Sequence, residues 1–137
     1  MFTITAKGIY GLTALLDLCD SYLHGPRQIK DIAQQYNIPQ HYLEQILVAL
    51  KKGGIVESFR GAQGGYALAK SPTAIKVIEA LSQLEGKLEL LPDQRKDTPL
   101  AFFWQDLENH IKSKLEKSLA ELLAEFKLKQ SQLFYDI

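Results

Sequence analysis

Residues 28–69 read QIKDIAQQYNIPQHYLEQILVALKKGGIVESFRGAQGGYALA, and this stretch decides the fold. Ile29, Ile32 and Ala33 recur at helical spacing, which predicts a short helix over 28–36. Asn37-Ile38-Pro39 is a turn, since asparagine tolerates turn geometry and proline fits the first turn of a helix. A second helix over 39–52 puts Leu43, Ile46, Leu47 and Leu50 on one face and ends on basic Lys51-Lys52 before Gly53-Gly54. Two short helices joined this tightly make a helix-turn-helix. Residues 54–59 then read as a strand, 60–65 as a glycine-rich loop and 66–69 as a return strand. A hairpin directly after the second helix is the wing of a winged helix-turn-helix. A phosphate-cradling loop would require a helix N-terminus after the glycines, and strand-like YALA stands there instead.

Working outward, residues 6–22 form a first helix with Ile9, Leu12, Leu15, Leu16, Cys19 and Leu23 apolar, stopped by Gly25-Pro26. Ser71-Pro72-Thr73 opens a fourth helix over 74–84 carrying Ile75, Val77, Ile78 and Leu81. Residues 85–99 hold Gly86, Pro92 and Pro99 among charges and read as a linker loop. A last amphipathic helix runs from Pro99 to about Lys127, with Phe103, Trp104, Leu107, Ile111, Leu115, Leu119, Leu122, Leu123 and Phe126 on its stripe. At about 1.5 Å per residue it spans nearly 40 Å. The body is only about 25–30 Å across by size scaling. The stripe therefore predicts a second copy of the chain as partner. The expected class is mainly α with a small β-hairpin: a winged helix-turn-helix DNA-binding domain (1–84), a linker (85–99), and a dimerisation helix and tail (100–137).

With 46% apolar residues the chain has enough material for a core. Its formal net charge of zero argues against a general polyanion binder, so any basic surface must be gathered locally. The single cysteine, Cys19, excludes an intramolecular disulfide and reads as a small buried hydrophobe on the first helix. The opening MFTITAKGIY has no signal-peptide pattern, and no run of eighteen apolar residues is present. No membrane is expected as a partner, and the expected location is cytoplasmic.

In a helix-turn-helix, the N-terminal half of the second helix enters the major groove. Its outward side chains here are Gln40, His41 and Glu44, with Tyr42 and Gln45 beside them. Glutamine pairs with adenine through both amide groups, glutamate accepts from cytosine, and histidine or tyrosine reaches a base or a phosphate. A solvated helix face fits the same polar spacing; the wing and basic Lys51 and Lys52 favour recognition. Arg60, at the wing tip between Phe59 and Gly61, is placed to enter a minor groove, with a plain surface arginine as the alternative.

These residues carry a family resemblance. KGIYGLTALLDL, then IKDIAQQYNIPQHYLEQILVALKKGGIVESFRGAQGGYALAKSP, resembles the IscR/NsrR/CymR family of bacterial winged-helix regulators over residues 1 to about 85. Its most specific parts are the HYLEQ run and the R-G-x-x-G-G-Y wing. The resemblance implies a homodimer with crossing C-terminal helices bound to palindromic operator sites in double-stranded DNA. It places contacts at Pro39, His41, Glu44, Lys51, Arg60 and Gly61. The family's usual basic residue after Lys7-Gly8 is Ile9 here, which weakens the expected N-terminal backbone contact. Many members hold an iron–sulfur cluster on three cysteines before the long helix, and LPDQRKDTPLAFFWQDL has neither Cys nor His there. The chain is thus similar to the cluster-free, CymR-like branch. No cofactor and no metal are expected, and the signal should come from a partner enzyme or a small-molecule effector acting through the 85–99 loop.

The leading reading is a sequence-specific transcription regulator acting as a repressor. The alternative is a winged-helix protein-interaction module that binds no DNA. An enzyme is not expected: His24, His41 and His110 fall on separate elements, and no nucleophile–base pair appears.

Overall fold

The computed structural model describes residues 3–92 and 96–136, with side chains through Leu133. Asp93, Gln94 and Arg95 of the expected linker, and the side chains of the tail from residue 134 on, lie outside the described residues. The order is α1 (Ala6–Asp20), α2 (Ile29–Tyr36), α3 (Gln40–Lys52), β1 (Val56–Phe59), β2 (Gly65–Leu68), a 3-10 turn (Pro72–Ala74), α4 (Val77–Glu85), α5 (Ala101–Lys114) and α6 (Leu119–Asp136). The fold is the expected one, mostly helical with one antiparallel hairpin.

The core takes Ala14, Leu15 and Leu18 from α1, Ile32 from α2, and Leu43, Ile46, Leu47 and Leu50 from α3. Ile55, Val56 and Leu68 add the base of the hairpin, and Ile75, Val77, Ala80 and Leu84 close it from the α4 side. Each fully buried leucine or isoleucine contributes about 1.5–3 kcal/mol through apolar surface removed from water. The α3 periodicity therefore both makes the helix amphipathic and anchors it. Asn37 ends α2 in the left-handed conformation (φ 54°), and Ile38 N–H returns to the Ala33 carbonyl at 2.9 Å, which gives the tight turn its shape.

The hairpin pairs Val56 with Leu68, Glu57 with Ala67, Ser58 with Tyr66 and Phe59 with Gly65. Arg27, in the link between α1 and α2, adds a one-residue third strand: its N–H donates to the Tyr66 carbonyl, and Tyr66 N–H to the Arg27 carbonyl, both at 2.8 Å. That approach needs glycine next door. A Cβ on Gly65 (φ +139°) would sit 2.2 Å from the Arg27 carbonyl oxygen.

Three expectations are corrected. The α1 face against the core is Gly8, Gly11, Ala14, Leu15 and Leu18; Ile9 is exposed and Leu23 is 88% exposed. Gly8 and Gly11 let α1 lie close to Glu85 and Leu84 at the end of α4, which turns Ile9 outward, and α1 stops before Leu23. The fourth helix starts at Val77, because Ser71 caps a separate 3-10 turn by accepting the Thr73 N–H, and buried Ile75 sits in an extended link.

The third correction is the largest. The expected continuous C-terminal helix is two helices, broken at residues 115–118. The break supplies acceptors to α4: Val77 N–H donates to the Lys117 carbonyl and Ile78 N–H to the Leu115 carbonyl, each at 2.9 Å. These are orphan donors of the first helical turn, so the break is matched to them. Ser118 then starts α6, its Oγ accepting the Glu121 N–H at 3.1 Å. Beyond the break α6 folds back on its own domain: Leu119 is fully buried, Leu122 and Leu123 pack on the core, and Lys127 pairs with Asp20 of α1 at 2.8 Å. Leu115, Leu119, Leu122 and Leu123 are thus covered within one chain, while Phe103, Trp104, Leu107 and Phe126 of the same stripe stay exposed.

Candidate nucleic-acid interface

One side of α3 is free of the core along its whole length. Gln40, His41, Glu44, Gln45 and Val48 are exposed, at spacings that place them on one face, and Lys51 and Lys52 continue it at the C-terminal end. Pro39 is exposed just before the helix. The His41 and Gln45 side-chain Nε2 atoms lie 3.3 Å apart, one turn apart on that face. Tyr42 stands apart from this group. It is half-buried, and its ring meets Tyr10 of α1 edge-on at 5.8 Å, which makes it a brace between α1 and α3 rather than part of the free face.

Arg60 and Gly61 are exposed at the wing tip, where Gly61 takes φ +96° and its carbonyl accepts the Gly64 N–H at 3.0 Å. The wing is tied to the end of α3: Lys51 Nζ donates to Ser58 Oγ at 2.6 Å. Lys51 is therefore both on the free face and a strut to β1. Between wing and helices lies an open cleft of about 420 Å³, lined among others by Gln28, Lys30, Gln40, Ser58 and Gly61. Lys30 lines this cleft, while Lys51 and Lys52 are exposed at the end of α3 and Arg60 at the wing tip. Basic groups on the helix and wing that flank a cleft, on a chain with no net charge, are what phosphate binding requires.

Sequence reasoning missed two residues here. Gln28 Nε2 donates to the Ala62 carbonyl at 3.1 Å and so holds the wing loop against the start of α2. Lys30 lines the cleft from the first turn of α2. The only sequence signal for Lys30 was its outward position beside Ile29.

Cys19 is buried, and burial, with Asp20 next to it, pushes its thiol above the ordinary value, which disfavours the thiolate needed to bind metal. Among the described residues no group of three or more His, Cys, Asp or Glu is arranged to hold a metal ion. No described helix is long and apolar enough to cross a membrane.

The family model Rrf2, described as an iron-dependent transcriptional regulator, matches residues 4–131. The chain belongs to the Rrf2 family. CymR of Bacillus subtilis, an HTH-type transcriptional regulator, is 36% identical over 126 residues, 90% of each chain. IscR of Yersinia enterocolitica is 36% identical over 128 residues, covering 88% of this chain and 78% of that one. The solved structure of B. subtilis CymR, the global cysteine regulator of that organism, superposes with a TM-score of 0.79 at 35% identity, over 91% of this chain and 98% of that one. These likenesses make the chain a winged-helix transcription regulator. The iron in the family description finds no fit here: the segment before α5 contains neither Cys nor His, and Cys19 is alone and buried.

Proposed function

We propose that this Rrf2-family regulator binds palindromic promoter sites as a homodimer, acts as a repressor and carries no iron–sulfur cluster. The observation that carries the reading is the free face of α3, with Gln40, His41, Glu44 and Gln45 together and Arg60 on a braced wing beside it. On this reading Gln40, His41, Glu44 and Gln45 meet base edges in the major groove, and Lys51 neutralises phosphate. Arg60, with Gly61 allowing close approach, enters the flanking minor groove.

The dimer is supported by α5. Phe102, Phe103, Trp104 and Leu107 are all exposed, and Phe103 and Trp104 stack edge-on at 4.9 Å. An apolar cluster of this kind on a short surface helix marks an interaction site. A twofold dimer would set the two α3 helices against successive major grooves, about 34 Å apart. A partner enzyme or small-molecule effector would act on this spacing through the loop before α5. Leu90 N–H donates to Glu108 Oε1 at 2.8 Å, and Leu90, Leu91, Trp104 and Leu107 line a cavity of about 210 Å³ there.

The test is a gel shift of the chain's own upstream region against a scrambled duplex of equal length and composition. Preferential retardation of the native fragment by a dimer supports the reading. Equal affinity for both duplexes sinks it.

A further inference from the structure

A two-stranded hairpin is marginally stable on its own, so something outside the wing must set its angle to α3. Three tethers do this. The Lys51–Ser58 hydrogen bond ties β1 to the end of α3, and Gln28 Nε2 holds the wing loop at the Ala62 carbonyl. The third is Arg27, whose backbone pairs with Tyr66 of β2 in both directions. The Arg27 side chain is in turn held in place. Nε donates to Asp17 Oδ2 at 2.9 Å, while Nη2 donates to Asp17 Oδ1 at 3.2 Å and to Gln35 Oε1 at 2.7 Å. Tyr36 OH donates to Asp17 Oδ1 at 3.1 Å, and Gln35 Nε2 to the Tyr36 oxygen at 3.2 Å. The Asp17 side chain is only 8% exposed, so its charge depends on these partners.

We propose that the Asp17–Arg27 pair is a positioning device for DNA recognition: it fixes the wing, and with it Arg60, relative to the recognition helix. The inference rests on the DNA-binding reading above and assigns a role to residues that touch no DNA. Asp17 lies on α1 and Gln35 and Tyr36 on α2, so the network references the wing to the two helices that support α3. A bidentate arginine fork has a fixed orientation, which a flexible ammonium does not reproduce. Loss of the carboxylate charge leaves Arg27 free to turn, and the one-residue strand at Tyr66 loses its backing.

The test is a double-mutant cycle on the full-length protein, with the chain's own upstream DNA as probe, well below the melting temperature. Asp17→Asn and Arg27→Lys are measured in the wild-type and Arg60→Ala backgrounds. Each is expected to weaken Kd about tenfold in the wild-type background and less than about twofold beside Arg60→Ala, the non-additivity of residues acting through one another. Amide exchange at Tyr66 should quicken while the amides of α3 stay protected. Equal losses in both backgrounds, or a folded variant with unchanged Kd and unchanged Tyr66 exchange, would overturn the proposal. Should Asp17→Asn unfold the chain, Arg27→Lys, which keeps the charge, carries the same comparison. If the wild-type protein itself shows no preference for its DNA, the functional reading has failed. The exchange measurement then decides alone whether the pair holds the wing, and unchanged Tyr66 exchange contradicts it.

Discussion

The carboxylate of Glu85, the last residue of α4, accepts the backbone N–H groups of Thr5 at 3.1 Å and Gly8 at 3.2 Å as well as the Thr5 hydroxyl, so the end of α4 caps the start of α1. Thr5 itself makes no side-chain cap, and two orphan backbone donors and the Thr5 hydroxyl thus converge on a residue some eighty positions away.

Glu85→Ala should cost about 1 kcal/mol, the usual effect of losing an N-terminal cap. The Thr5 hydroxyl first, then the Thr5 N–H, hold the Glu85 carboxyl below its ordinary value. The Leu90 N–H, then Lys112, do the same for Glu108. A depressed folded value gives stability that is complete above the unfolded glutamate range of about 4.3 and is lost as pH falls toward the lower folded value. Thermal unfolding between neutral and acid pH should show a shallower acid loss for Glu85→Ala than for wild type. Parallel curves would contradict the cap.

Gly65→Ala should loosen the wing. The new Cβ would meet the Arg27 carbonyl oxygen at 2.2 Å and its carbon at 2.5 Å, backbone atoms that cannot rotate away, and φ is +139°. We expect a loss of about 1–3 kcal/mol in unfolding free energy, as for other overpacked sites. An unchanged melting temperature in calorimetry would show that Arg27 and β2 are not in close register.

If the proposed homodimer forms through α5, Leu107→Asp should leave a monomer of 15.5 kDa. It places a charge beside Phe103 and Trp104 on α5, where a dry contact between copies would bury it unpaired. Sedimentation equilibrium reads the mass directly. A wild-type monomer, or a variant that stays dimeric, would remove α5 from the interface.

The protein should purify colourless and remain so after anaerobic reconstitution with iron and sulfide, because the segment before α5 offers no thiolate and Cys19 is buried. Stoichiometric acid-labile sulfide with a visible absorption band would reverse that assignment.

The parts of the fold that were legible in the sequence are those written locally. Leu43, Ile46, Leu47 and Leu50 mark α3 and its buried side, and the free face follows by subtraction. Periodicity failed at the C-terminal break because Leu115 and Leu119, four apart, continue the stripe as though the helix were unbroken. A local signal was present: Ser118-Leu119-Ala120-Glu121 has the S-x-x-E spacing of a helix start. Arg27 against Tyr66, Glu85 against Thr5 and Tyr42 against Tyr10 were not legible, since each depends on a contact between residues distant in the chain. Arg27 in particular looks like an ordinary loop arginine until β2 lies beside it.

The central claim is that α3 and the wing together read DNA, and the most direct measurement is the affinity of wild type and Arg60→Ala for the chain's own upstream duplex over a range of salt concentrations. Log Kobs for wild type should fall steeply and linearly with log salt, as phosphate contacts require, and Arg60→Ala should bind the same duplex about 1–3 kcal/mol more weakly while remaining folded. A flat salt dependence, or an Arg60→Ala protein that binds as tightly as wild type, would contradict it.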